Sequence, residues 1–124
     1  MIIRIDFDSN EAYYVQLCNQ IIYGIANNMI REGDNLPSVR QMADNIGINM
    51  HTVNKAYSIL KQEGYLKVDR RKGAIISVKA DKYEALEDLF DDMSILLAKA
   101  ACKGVTIDGV HQIVEKIFAD FEEQ

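Results

Sequence analysis

Between Gly47 and Asn49 there is a single residue, Ile48, and on each side of it the sequence writes a helix. Ser38 follows the chain's only proline and stands three residues before Gln41, the spacing of a capping box, in which serine and glutamine each satisfy a backbone amide. Val39, Met42, Ala43 and Ile46 recur at three- and four-residue intervals and form one apolar stripe. Gly47 supplies the left-handed residue that stops a helix, so this first helix is predicted over about Val39 to Asn45. Asn49 is a helix cap, and the stripe resumes at Val53, Ala56, Tyr57 and Leu60. A link this short makes the two helices cross steeply and leaves the second one's N-terminus outward, the geometry of a helix-turn-helix.

The outward face of the second helix carries His51, Thr52, Asn54, Lys55 and Ser58, all polar and none acidic. Asparagine can pair with an adenine edge, threonine offers a hydroxyl and a methyl, and lysine binds guanine or phosphate. A polar outward face is also what any surface helix presents, so the residues that follow matter. Gly64 closes the helix, Tyr65 to Val68 read as a strand, Asp69 to Gly73 as a polar turn, and Ala74 to Val78 as a returning strand. Arg70, Arg71 and Lys72 would repel one another at the tip of that hairpin, and a phosphate or a minor groove is the natural counter-charge.

The order PSVRQMA, GINMHTVNKAY, LKQEGYL, RRKGAIIS resembles the winged helix-turn-helix domain of the GntR family of bacterial transcription regulators, over about residues 10 to 78. AYYVQL, from Ala12, is similar to that family's first-helix opening, and EGDNLP, from Glu32, to the turn before its second helix. The resemblance implies that Ser38 and Arg40 hold phosphate, that Asn49, His51, Thr52, Asn54 and Lys55 approach the major groove, and that Arg71, Lys72 and Gly73 enter the minor groove. Met50 and Asn54 depart from the pattern, because many members carry arginine there. The wording NMHTVNKAY is similar to the YtrA-type subfamily.

Net charge is −5, which seen alone disfavours a polyanionic partner, but the charge is unevenly spread. Residues 1–80 hold ten Lys/Arg against eight Asp/Glu, whereas residues 81–124 hold four against eleven. The stretch from Asn49 to Lys72 carries six cations and two acids, so its surface is locally basic. Cys18 and Cys102 stand far apart with no CxxC, and His51 and His111 share no ligand spacing with them, so no metal or other cofactor is expected. Cys18, among Val15, Leu17, Ile21 and Ile22, reads as a small buried hydrophobe. The glycines are isolated and form no nucleotide loop; Gly24 reads as a close-packing point in the first helix. No segment approaches the roughly 20 apolar residues that span a bilayer, and MIIRIDF is too short and charged for a signal peptide, so a cytoplasmic protein is expected.

From Tyr83 a long amphipathic helix places Leu86, Phe90, Met93 and Leu97 on one stripe, widened by Leu89 and Leu96. Gly104 breaks it, Thr106 or Asp108 can cap the next helix, and Val110, Ile113, Val114, Ile117 and Phe121 mark a second apolar face beside Ile107 and Phe118. Two such faces exceed what a helical hairpin buries against itself, and the same hairpin of another chain would cover them.

The expected fold is therefore mostly α with a small β-wing: an N-terminal winged helix-turn-helix over residues 1–79 and a two-helix dimerisation hairpin over 80–124. The expected function is sequence-specific regulation of transcription, as a repressor dimer on a two-fold operator in double-stranded DNA, with no membrane partner. A winged-helix module that binds protein through the same face is the competing reading. An enzyme is not expected, because Asp88, Asp91 and Asp92 have no histidine or cysteine placed to join them. Whether a small-molecule effector binds is left open; the tail has little room for a pocket of about 300 Å³, and a dimer interface would have to supply one.

Overall fold

A computed structural model describes residues 2–122, so Met1, Glu123 and Gln124, at the outer ends of the two expected domains, lie outside the described residues. Five helices and one hairpin follow in order: α1 (Tyr13–Ala26), α2 (Val39–Ile46), α3 (Met50–Gln62), β1 (Leu66–Asp69), β2 (Gly73–Ile76), α4 (Lys82–Cys102) and α5 (Ile107–Glu122). They fall into two compact units that divide between residues 79 and 80.

In the first unit the capping chemistry forms as written. The Ser38 hydroxyl accepts from the Gln41 amide at 3.1 Å while Gln41 Oε1 accepts from the Ser38 amide at 3.4 Å. Gly47 ends α2 at φ 73°, in the left-handed region, and the amides of both Gly47 and Ile48 return to the Ala43 carbonyl. Asn49 then opens α3 by accepting from the His51 amide at 2.7 Å. Helices α1, α2 and α3 pack around Leu17, Ile21, Val53 and Leu60, which are fully buried, with Met42 and Ala43 contributed by α2. Each such burial of a leucine or isoleucine is worth about 1.5–3 kcal/mol. Cys18 lies in this core with its thiol directed to the Ala56 carbonyl at 3.5 Å, and Gly24 is buried in α1.

The hairpin differs from expectation on both arms: β1 lies one residue later than expected, and β2 starts one residue before Ala74 and ends two before Val78. Asp69 pairs with Gly73 and Leu66 with Ile76, so both Asp69 and Gly73 belong to strands and the turn is only Arg70, Arg71 and Lys72. The Asp69 carboxylate accepts from the amides of Arg71 at 2.7 Å and Lys72 at 3.1 Å, which closes the turn early. Residues 33–36 run along the free edge of β2: the Gly33 amide donates to Ile76, the Ile76 amide to Asp34 and the Leu36 amide to Ala74, all at 2.8–2.9 Å.

In the second unit, Asp81 caps α4 by accepting from the Glu84 amide, and Thr106, not Asp108, caps α5 by accepting from Gly109 at 3.3 Å. Gly104 makes the turn at φ 88°. No described residue of α4 or α5 is buried. Phe90 is 72% exposed, and Leu86, Leu89, Leu97, Ile113, Val114 and Ile117 are exposed as well. Met93, Val110 and Phe121 are half-buried, the last edge-on to Phe118 at 5.6 Å.

Candidate nucleic-acid interface

The residues singled out for DNA contact all lie in the first unit, and the backbone fixes what each can offer. Ser38 and Arg40 are exposed at the start of α2. Because the Ser38 oxygen accepts in the capping box, its hydroxyl proton stays available to a phosphate. Asn49 at the cap of α3 and His51, Asn54 and Lys55 on the helix are exposed, with Thr52 half-buried at the margin. Asn49 uses part of the accepting capacity of its carbonyl oxygen on the His51 amide and keeps its NH₂ donors uncommitted. Lys55 does not stand free: its ammonium lies over the Tyr14 ring of α1, 3.9 Å from the centroid.

Four consecutive residues tie these parts together, and none was singled out for it by sequence reasoning except Ser38. The Asn35 side chain donates to the Lys72 carbonyl at the wing tip. Leu36 donates to Ala74 in β2. Pro37 accepts from the Tyr57 hydroxyl of α3 at 2.7 Å, and Ser38 starts α2. One short extended segment thereby ties the wing to α3 and to the start of α2. Tyr57 reads in the sequence as part of the apolar stripe, which it is, but its hydroxyl makes the cross-link. Burial pushes its phenol well above the usual tyrosine range, so it remains a donor.

The wing tip is charged and held. Arg70, Arg71 and Lys72 are exposed, and Gly73 sits at φ 78° with open space around it. The backbone amides of Arg71 and Lys72, with the nearby charges of Lys72 and Lys67, hold the Asp69 carboxyl below the usual carboxylate range. The site thus offers hydroxyl, amide and cationic donors to a polyanion. Among the described residues no group of three or more His, Cys, Asp or Glu is placed to hold a metal, and no helix is long and apolar enough to cross a membrane.

The family described as bacterial regulatory proteins, gntR family, matches residues 13–76, from the first turn of α1 to the end of β2. The chain belongs to the GntR family. Within it, the chain is 33% identical over 122 residues to the HTH-type transcriptional repressor YtrA of Bacillus subtilis, covering 95% of this chain and 93% of that protein. The solved structure of YtrA from Sulfolobus acidocaldarius, described as a GntR-family transcription factor, is 34% identical and superposes with a TM-score of 0.63 over 76% of this chain and 99% of that one. A transcriptional antiterminator from Listeria monocytogenes, at 24% identity, shares the fold with a TM-score of 0.85 over 97% of this chain and 92% of its own. This GntR member is of the YtrA type, a winged-helix DNA-binding regulator whose relatives are transcription regulators.

Proposed function

We propose that this GntR protein is a cytoplasmic repressor that binds operator DNA as a homodimer and works by occupancy, without chemistry of its own. The observation that carries the reading is the pairing of an acid-free outward face on α3 with a three-cation wing tip tied to it through residues 35–38. Helix α3 enters the major groove with His51, Thr52 and Asn54 toward base edges and Asn49 donating from its cap. Ser38 and Arg40 grip phosphate, and Arg70, Arg71 and Lys72 follow Gly73 into the adjacent minor groove. Salt-sensitive affinity from these cations is then the dominant non-specific term. The exposed stripes of α4 and α5 support the dimer, because Leu86, Leu89, Phe90, Met93 and Leu97 face Val110, Ile113, Val114, Ile117 and Phe121 of a second copy more economically than they face water.

Selection of bound sequences from random duplex DNA, followed by anisotropy titration on the selected sequence, tests this reading. Specific binding over competitor DNA is expected, weakened by Arg71→Ala. Equal binding to selected and scrambled duplexes would refute sequence-specific recognition, and unchanged affinity in Arg71→Ala would remove the wing from the interface.

A further inference from the structure

We propose that Tyr14, on α1, is a positioning residue that turns Lys55 away from base edges and toward a phosphate of the groove wall. The inference rests on α3 being the reading helix. Val53, Ala56, Tyr57 and Leu60 define the buried side of α3, and at about 100° per residue the outward direction falls close to His51, with Lys55 and Ser58 about equally displaced to either side of it. Lys55 lies beside that direction on the flank nearer α1, where the Tyr14 ring receives its ammonium at 3.9 Å. The placement is built into the packing of the two helices. Tyr14 and Cys18 are one turn apart on α1, and Cys18 meets the Ala56 carbonyl, so the α1 face that seats the core also presents Tyr14 next to Lys55.

A helix in the major groove has base edges ahead of it and a phosphate backbone on each flank. A flexible lysine on the outer face would sample both. Held over an aromatic face, the ammonium is displaced sideways, and the ring occupies one side of it while its remaining N–H donors stay open. Tyr14 itself is half-buried against the core, so the ring is a fixed platform. Lys55 then contributes affinity and register, and base preference is left to His51, Thr52 and Asn54.

The test is anisotropy titration of the full chain on its selected duplex and on single-base variants of it, across a salt series. Lys55→Met should weaken every duplex by about five- to tenfold and lower the log–log salt slope by ~0.9 per protomer, with base preference unchanged. Tyr14→Leu should weaken binding by about two- to fivefold, Tyr14→Phe should match the parent, and Tyr14→Leu should add nothing in the Lys55→Met background. Pentafluorophenylalanine at position 14, which keeps the ring's shape and reverses its quadrupole, should behave as leucine does and covers the case in which the leucine variant unfolds. A Lys55→Met variant with altered preference at one base pair and an unchanged slope overturns the proposal. So does equal loss from Tyr14→Leu with and without Lys55, or parental affinity in both ring replacements. Failure of the parent to prefer its selected duplex is a different result, and removes the DNA-reading assignment of α3 itself.

Discussion

The side-chain amide of Gln16 holds Asp6 at both backbone groups, with Oε1 accepting from the Asp6 amide at 2.8 Å and Nε2 donating to its carbonyl at 3.0 Å. One turn along α1, Gln20 does the same for Arg4. The two glutamines imitate a neighbouring strand and fasten the extended N-terminal segment to the helix, burying Ile5. Gln16 is itself buried and also donates to the Glu11 carbonyl. Gln16→Leu should therefore destabilise the protein by about 2–3 kcal/mol, read as a lower urea midpoint. Gln16→Glu should be at least as damaging, because it sets a carboxylate against two carbonyl oxygens. An unchanged midpoint in both would show that the segment does not contribute to the fold.

Tyr57→Phe deletes the hydroxyl that reaches Pro37 and leaves that carbonyl without its partner. The expected loss is about 1–2 kcal/mol of stability, together with weaker DNA binding as α2 and α3 lose their cross-link. A variant that melts lower yet binds DNA like the parent would separate the cross-link from function.

Alkaline pH provides a second test of the same core. Burial raises the thiol of Cys18, with a smaller contribution from Glu63, and burial raises the phenol of Tyr57. Each keeps its proton in the fold to a higher pH than in the unfolded chain, so the favourable difference is complete below the ordinary values of 9.0 and 10.0 and is lost as pH rises beyond them. Urea midpoints should hold to about pH 8 and fall above the thiol range, and the fall should be shallower in Cys18→Ala and Tyr57→Phe. With an aromatic disulfide reagent at neutral pH, exposed Cys102 should react fast and buried Cys18 only on unfolding.

Asp69 makes the wing acid-sensitive. Its carboxyl is held low by the amides of Arg71 and Lys72, so the ordering it contributes is present above the ordinary carboxylate range and lost as pH falls through the lowered value. Asp69→Ala should weaken DNA binding several-fold while leaving the melting temperature nearly unchanged, because the wing tip and not the core is loosened. Amide exchange at Arg71 and Lys72 should rise in the same variant.

Charges placed in the apolar stripe test the assembly. Phe90→Glu with Leu97→Glu should give a monomer by light scattering and reduce operator affinity by far more than either half-site loses, since two linked readers bind with an effective concentration that one lacks. Because neither residue is buried within its own chain, the melting of the reading unit should change little. A variant pair that remains dimeric would place the interface elsewhere.

Much of the first unit was legible in the sequence at the two ends of α2 and at the start of α3. The box between Ser38 and Gln41, the stop at Gly47 and the cap at Asn49 are local chemistry, and the helices begin and end where that chemistry puts them. The inner ends of the wing strands lie one residue nearer the tip than periodicity predicts, because the pairing of Asp69 with Gly73 depends on a turn closed by a side chain, which strand periodicity does not register. Thr106 and Asp108 are equal candidates on paper; in the fold α5 starts at Ile107, so Asp108 lies within its first turn and the cap falls to Thr106. The clasp of Asn35 on Lys72, the hydroxyl of Tyr57 on Pro37 and the grip of Gln16 on Asp6 join residues far apart in sequence. Each of those side chains looks, locally, like ordinary turn, core or helix-surface composition.

Every residue buried among those described precedes residue 80, so a substitution at Phe90 or Ile113 removes no buried side chain from its own chain. In the proposed dimer the same substitution changes only which partner is accepted. Two regulators with similar readers in one cell can then drift apart in α4 and α5 until they no longer form mixed pairs, while their reading units stay interchangeable. Divergence of the tail is in that sense a route by which duplicated copies acquire separate circuits before their DNA preferences differ.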